Sequence, residues 1–401
     1  MNLFEGLKVI DLTSNLAGPC TGMLLGDYGA EVIHIEKPVY GDDNRSYYPM
    51  LDGASITYSM YNRNKRSVVL DLKDPRAVEI VKKMARDADV LLESSRPGAM
   101  KRLGLDYEVI HEINPRLVYC SISAFGQTGP YARRPGYDII AQAYSGIMHL
   151  TGEPDGDPTR VGTELGDYVG TLTAFGSICA ALYHQARTGE GQQVDISLAR
   201  ALTWMSAAFF DYPYTGVVYG RTGNHNPGLC PYGVFNGNGG SIVIAAISRN
   251  LWEALCRLMG REELISDPRF NTNGKRVDNL KDVIEIIEGW LHTLPDIQSA
   301  EKLLNQAGIP NARIFNAEDV DKDIHANEAG WISEVPFSDD ITSAKSCRIL
   351  LSPSGFSAAK PQIKKAPLLG ADNEEILSRY GYTPEEIRKM EAEWQENALK
   401  H

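Results

Sequence analysis

The stretch Leu7-Lys8-Val9-Ile10-Asp11-Leu12-Thr13-Ser14-Asn15-Leu16-Ala17-Gly18-Pro19, with Glu31-Val32-Ile33-His34-Ile35-Glu36 after it, decides the fold class. Leu7–Leu12 is a short apolar run closed by Thr13 and Ser14, the pattern of a buried strand. Ala17-Gly18-Pro19 is a small-residue turn, and helix-spaced apolar residues follow through Met23, Leu24, Leu25 and Tyr28. Glu31–Glu36 reads as a second strand. Further out, Ser67–Leu72, Val90–Glu93 and Leu117–Ile122 read as strands, and Pro75 opens a helix that runs to Ala88. Strand and helix alternating in this way predict a mostly parallel sheet with right-handed crossovers.

Beyond this block the pattern turns helical. Asp138–Leu150, Asp167–Ala186 and Ala199 to about Asp211 carry helix-spaced apolar residues, with a strand at Val194–Leu198. Tyr214–Pro231 is rich in Gly, Asn and Pro and reads as a linker. A second unit starts near Tyr232, with a hairpin turn at Asn236-Gly237-Asn238-Gly239-Gly240. Helices are expected at Leu251–Met259, Val277–His292 and Ile297–Ala307, strands at Ile332–Val335 and Cys347–Leu351, and a polar helical tail from Asn373. No internal repeat or low-complexity tract occurs.

The chain has 401 residues, 43% hydrophobic and 23% charged, which excludes disorder as its main state. Its net charge of -12 argues against nucleic acid or an anionic membrane as main partner. No apolar run approaches the roughly 18–20 residues of a membrane span, and the first residues lack signal-peptide character. Cys20, Cys120, Cys179, Cys230, Cys256 and Cys347 form no CxxC pair, so they read as free thiols of a reducing, cytoplasmic setting.

Several residues are candidates for chemistry. Glu36, at the end of a strand–turn–helix–strand unit, has the place of an acid that holds a ribose hydroxyl. The GxGxxG fingerprint of such a unit is missing, which argues against NAD. Asp167 stands at the start of a long apolar helix. It reads either as an N-cap or as a carboxylate poised to attack an activated carbonyl. Position alone leaves both open. Lys37, Arg63, Lys65, Arg66, Lys73, Arg96, Lys101, Arg102, Arg133 and Arg134 gather near strand ends, where open α/β sheets bind ligands, and they suit a phosphate-bearing one. No H-E-x-x-H, Gly-x-Ser-x-Gly or P-loop occurs, so no metal site is expected. Tyr47, Tyr48, Tyr137, Phe209, Phe210, Tyr212 and Tyr214 hint at an aromatic acyl pocket, with core packing the simpler role for most of them.

An ordered set of segments resembles the class III CoA-transferases, the CaiB/BaiF-type family that includes formyl-CoA and carnitine CoA-transferases. The set begins with Gly6–Asp11, Ala17–Pro19, Gly29–Glu36, Asn64–Ser67, Arg96–Gly98 and Gly126–Pro130. It continues with Gly166-Asp167, Thr188–Gln192, Val194–Ser197, Gly308–Pro310 and Ala366–Gly370. The resemblance implies a Rossmann-like large domain with a parallel sheet, formed by residues 1–220 and 326–401. A smaller α+β domain (221–325) is inserted between them, and two chains form an interlocked homodimer.

It also implies a site. Asp167 falls on the family's catalytic aspartate. Leu16 and Ala17 would line the pantetheine path, and Lys37, Lys73 and Arg102 would contact CoA phosphates. Leu72, Ser94, Ser95, Ala99 and Leu103 would frame the adenine. Asp138 would lie near the CoA thiol end, or else cap its own helix. Tyr137, Gly239 and Gly240 are the substrate-side positions. Coenzyme A and acyl-CoA are then substrates, the second partner is a carboxylic acid, and no permanently bound cofactor is expected.

Three positions depart from the family. Leu16 replaces a glutamine, Pro135 stands where a lysine is common, and the closing glycine run is reduced to Asn236–Gly240, which argues against oxalate. Two other readings compete. An α-methylacyl-CoA racemase needs a histidine base where Tyr137-Asp138 stands, and a tyrosine of pKa ~10 is a poor base. A non-catalytic CoA-binding protein predicts no covalent adduct at Asp167.

Overall fold

Apolar residues on both faces of six short strands make the central sheet of the protein. The computed structural model describes residues 2–206 and 208–400. The strands are β1 (Lys8–Leu12), β2 (Glu31–Glu36), β3 (Lys65–Val69), β4 (Val90–Glu93), β5 (Val118–Ser123) and β6 (Gln193–Ser197). All neighbours are parallel, in the order β3-β2-β1-β4-β5-β6. This is a doubly wound α/β arrangement whose connections reverse direction between β1 and β4. Successive residues feed opposite cores. Val9, Val90 and Leu92 join one cluster, and Ile10 and Leu91 join the other. Parallel strands buried on both faces give the unbroken apolar runs that made them readable.

Helices cover both faces. On one side lie α1 (Ala17–Asp27), α3 (Asp138–Tyr144), α4 (Leu165–Thr188) and α5 (Leu198–Trp204); on the other lies α2 (Pro75–Ala85). Helix α2 shows why such a segment folds. Asp74 caps it by accepting the Arg76 N–H, Pro75 opens it, and Lys82 and Lys83 sit in its last turn. Ala77, Ile80, Val81, Met84 and Ala85 form its buried face. Truncating Ile80 to alanine is expected to cost about 2–5 kcal/mol.

The chain divides into two compact units: residues 1–147, 160–216 and 325–401 form the first, and 148–159 with 217–324 the second. In the first unit the C-terminal segment covers the outer edge of β3. Gly370 donates to Ser67 Oγ (2.9 Å), Ser67 N–H to Asp372 (2.8 Å) and Val69 N–H to Asn373 (2.7 Å). An otherwise open strand edge is thereby satisfied. Ile376, Leu377, Ile387, Met390 and Trp394, from α9 (Asn373–Arg379) and α10 (Pro384–Leu399), then enter the core beside α2.

The second unit is α+β. An antiparallel sheet of β7 (Tyr232–Gly237), β8 (Gly240–Ala245) and β9 (Asn311–Arg313) packs on α6 (Arg249–Leu258), α7 (Leu280–Leu291) and α8 (Ile297–Gln306). Its hairpin turn lies where the Asn-Gly run predicts, with Gly239 at φ +80°. The tip is tied down. Asn238 Nδ2 donates to the carbonyls of His292 (3.1 Å) and Leu294 (2.8 Å), and Asn236 N–H donates to Glu288 (2.8 Å).

Some expectations need correction. The third strand begins at Lys65, two residues before the apolar run, because its first charged residue is buried. The helix expected over Asp138–Leu150 breaks after Tyr144, where Gly146 takes φ +82°. The one expected from Ala199 to about Asp211 ends at Trp204, and a separate helix spans Ala208–Thr215. The one expected over Val277–His292 is two helices meeting at Asn279. Helix α4, 24 residues long, is by length and composition apolar enough to cross a membrane, contrary to the reading above. Its Gly170, Ala174, Ile178 and Ala181 are buried in the first unit. The aromatic residues expected to pack in the core do not: Tyr48 and Tyr214 are 86% and 90% exposed, and Tyr47, Tyr137 and Tyr212 are exposed as well. The side chains of Phe209 and Phe210 lie outside the described residues.

Candidate active site

All six parallel strands deliver their C-terminal ends to one edge of the sheet. The loops leaving them carry Thr13–Leu16, Lys37, Leu72-Lys73, Ser94-Ser95 and Phe125–Tyr137. Ser14 N–H donates to Ser94 Oγ (3.0 Å), joining the loops on either side of the reversal point. A crevice at that point is where doubly wound sheets bind ligands. Leu16, Leu72, Ser94, Ser95, Ala99 and Leu103 are half-buried, Ala17 is buried, and Lys37, Lys73 and Arg102 are exposed.

Asp167 reaches the same edge through α4. Helix α4 starts at Leu165 with Glu164 as N-cap residue, so Asp167 lies in the first turn and is not the cap. Thr171, four residues on, donates its hydroxyl to Ala17 O (3.1 Å) and is on the same side of α4. Gly170 lets the helices meet: a Cβ there would stand 2.4 Å from Leu198 Cδ2 and 3.9 Å from Ala17 Cβ. Asp138 does not cap its own helix, whose N-cap residue is Tyr137. It accepts the Gly166 N–H at Oδ1 (2.6 Å) and the Gln142 amide at Oδ2 (2.7 Å). It therefore binds a free N–H at the start of α4, next to Asp167.

The Asp167 carboxylate accepts no hydrogen bond from the described residues and is half-buried. Burial, reinforced by the Asp138 and Glu164 carboxylates, pushes its pKa up to about 7. Such a group exchanges its proton within the neutral range, and it accepts no hydrogen bond from the described residues. Strongly perturbed carboxyls of this kind are found at functional sites.

Other expected site residues fall elsewhere. Glu36 is 2% exposed and has no room for a ribose. Arg45 grips it with two bonds (2.7 and 2.8 Å), and Ser67 Oγ donates to it as well (2.6 Å). Of the basic residues, Arg63 pairs with Asp27, Lys65 with Asp11 and Arg66 with Asp372. Arg134 lies over the Tyr131 ring at 4.6 Å. Lys37 is exposed and meets Asp43 at 2.9 Å. Gly239 and Gly240 belong to the hairpin of the second unit. Sequence reasoning missed Asn15, which takes a left-handed backbone (φ +73°) before α1 and accepts the Tyr47 hydroxyl at 2.5 Å. Asn is the residue that tolerates that conformation best after glycine, so its place in a loop was a usable signal.

A doubly wound sheet hosts many chemistries, so the class of the protein is read from its relatives. The chain belongs to CoA-transferase family III, whose model matches residues 4–373. It is 44% identical over 309 residues to an acetyl-CoA:oxalate CoA-transferase of Acetobacter aceti, covering 77% of this chain and 79% of that one. It is 37% identical over 390 residues to the succinyl-CoA:glutarate CoA-transferase of Mus musculus, covering 94% and 86%. A CaiB/BaiF family protein of Brucella suis has the same architecture, with a TM-score of 0.82 at 33% identity over 94% of this chain and all of that one. The protein is thus a family III CoA-transferase, and its relatives move CoA between acids.

Proposed function

We propose that the protein transfers CoA from an acyl-CoA donor to a free carboxylic acid with Asp167 as covalent carrier. The Asp167 oxygen attacks the thioester carbonyl and the C–S bond breaks, leaving a mixed anhydride and CoA thiolate. The thiolate attacks the aspartyl carbonyl and releases the donor acid, which leaves an aspartyl-CoA thioester. The acceptor carboxylate attacks that thioester, forming a second anhydride and freeing the thiolate again. Attack of the thiolate on the acceptor's carbonyl yields the new acyl-CoA and restores Asp167. Activation passes between carboxylates, so the sequence of steps consumes no nucleotide. Each intermediate reacts with water, so the site must exclude it.

The observation that carries this reading is the half-buried Asp167 carboxylate, which accepts no hydrogen bond from the described residues and stands beside Asp138 and one helical turn from Thr171, the residue that bonds Ala17 O. The clustering of Leu16, Ala17, Leu72, Lys73, Ser94, Ser95, Ala99, Arg102 and Leu103 at the same sheet edge supports a CoA path there. Lys37 joins it by exchanging Asp43 for a phosphate. Asp138 fixes the start of α4. Relatives named for oxalate and glutarate make small di-acids the first acceptors to test, with acetyl-CoA and succinyl-CoA as donors. A lid role for Asn236–Gly240 draws no support from a tip so firmly tied. The exposed Leu172 and Tyr183 on α4, 49% and 65% accessible, support a homodimer that covers them. Six free cysteines support a reducing, cytoplasmic location.

Incubation with acyl-CoA, trapping with hydroxylamine or borohydride and mass spectrometry tests the reading. Modification of Asp167 is the expected result. Solvent deuterium at the acyl Cα without an adduct would mean racemisation, and neither outcome would mean binding alone.

A further inference from the structure

Beneath the β1–α1 loop lies a closed group of charges that the transfer steps do not use. Asp11 and His34 are register partners on β1 and β2, 0% and 1% exposed. His34 Nδ1 lies 3.2 Å from Asp11 Oδ2, and His34 Nε2 lies 3.4 Å from Asp42 Oδ2. Among the described residues neither ring nitrogen forms a hydrogen bond of good geometry and Asp42 Oδ2 accepts none, so the two carboxylates are what the ring nitrogens face. Lys65 Nζ contacts the same Asp11 oxygen at 2.8 Å, and Arg45 holds Glu36. Without His34 the group contains three carboxylates (Asp11, Glu36, Asp42) and two cations (Lys65, Arg45). A protonated imidazole balances it, whereas a neutral one leaves an uncompensated buried negative charge.

Each aspartate also holds the loop that leads into α1. Asp11 Oδ1 accepts the Thr13 N–H (3.0 Å) and hydroxyl (2.5 Å). Asp42 Oδ1 accepts the N–H groups of Asn15 (3.2 Å) and Asn44 (3.0 Å), and the Asn44 amide returns to Asn15 O. Thr13 lies against Gly18, where a Cβ would come within 2.2 Å of it. Contacts therefore run from His34 through both carboxylates to Thr13 and Asn15, then to α1 and, at Ala17 O, to the helix that carries Asp167.

We propose that His34 is a permanently charged imidazolium bridging Asp11 and Asp42, and a positioning residue that sets the Thr13–Ala17 loop against Asp167 during transfer. The functional half of this rests on the reading of Asp167 as carrier. Burial alone would lower the imidazole pKa. The Asp11 charge, with help from Asp42, outweighs both burial and Lys65 and takes it up to about 9. Glu36, lowered in part by His34, also faces the group from β2.

Protein labelled with 15N in its histidine rings tests the charge directly, with His34→Gln used to assign the signal. Both ring nitrogens are expected at protonated shifts from pH 6 to 8; a neutral tautomer in that range overturns the proposal. Asp42→Asn tests the positioning. It retains an acceptor oxygen for Asn15 and removes the charge facing His34. The expected result is a kcat lowered about tenfold or more, with KM for the free acid within about twofold, because a misplaced loop affects the reacting geometry more than binding. Unchanged kcat in that variant overturns the positioning role. If wild-type protein forms no Asp167 adduct, the carrier reading fails, and the ring shifts still decide the state of His34.

Discussion

The two sides of the crevice treat their carboxylates in opposite ways. On the β1–β2 side, Asp11, Glu36 and Asp42 are buried, and each is met by cations or N–H groups. Burial pushes Asp11 up, but Lys65 and His34 outweigh it and hold its carboxyl well below the ordinary range. Glu36 is likewise brought to about 2 against its own burial, chiefly by Arg45. On the α3–α4 side, Asp167 has no such partner among the described residues, and its pKa moves the other way. The charges on the β1–β2 side hold the backbone in place through the N–H groups of Thr13, Asn15 and Asn44 that they accept. Asp167, whose carboxylate accepts no hydrogen bond from the described residues, is the group proposed above as the carrier.

The largest expected effect breaks this contrast at its reactive end. Asp167→Asn should lower kcat by about 10³-fold or more, since the amide cannot carry an acyl group. It should not lower Tm at pH 8. The folded carboxyl has a raised pKa, so the folded chain holds its proton more tightly than the unfolded one. Its stabilising contribution is complete below the unfolded pKa of about 3.9 and disappears as pH climbs through about 7. Removing the charge therefore relieves a penalty. Turnover assays and thermal melts of the pair decide it; a melt lowered sharply by Asp167→Asn would mark the residue as scaffold.

The satisfied side should respond in the reverse manner. Asp11→Asn leaves Lys65 and His34 buried without their anion, which is expected to cost about 3–5 kcal/mol of stability. Denaturant titration reads it directly. A loss under about 1 kcal/mol would show that the buried group is not a structural bed, and the contrast between the two sides would vanish.

Much of this was visible in the sequence, and the exceptions share a cause. β2 and β4 fall where the apolar runs place them, because a strand buried on both faces is written in consecutive residues. β3 was displaced because Lys65 is a strand residue whose charge is cancelled by Asp11, a partner 54 positions away. Glu36 looked like a ribose ligand for the same reason: Arg45 could not be paired with it from spacing alone. Asp138 reads either as a residue near the CoA thiol end or as the cap of its own helix, and the cap it serves is that of another helix, 28 residues on. Local patterns reveal local structure, whereas long-range charge pairing has no period to read.

A smaller effect belongs to the exposed cations at the sheet edge. Lys73→Ala and Arg102→Ala should each raise KM for acyl-CoA severalfold, on the order of 1 kcal/mol, with little change in kcat. Raising the salt concentration should narrow the difference from wild type, because exposed charges are screened. If neither KM nor its salt dependence moves, the phosphates of CoA lie elsewhere.

The smallest expected change sharpens the comparison most. Activity should rise with pH through about 7 as Asp167 ionises. In Asp138→Asn the midpoint should move toward acid, because one of the two neighbouring carboxylates is gone. The shift should be partial, since burial is the larger cause and remains. The substitution keeps an oxygen for the Gly166 N–H but places an NH₂ against the Gln142 amide, whose own oxygen is already held by Val161 N–H. Some loss of kcat at every pH is therefore expected, separable from the midpoint by a full profile. A midpoint that stays put, or moves toward base, would mean that Asp138 does not act on Asp167 through charge and serves only to hold the start of α4.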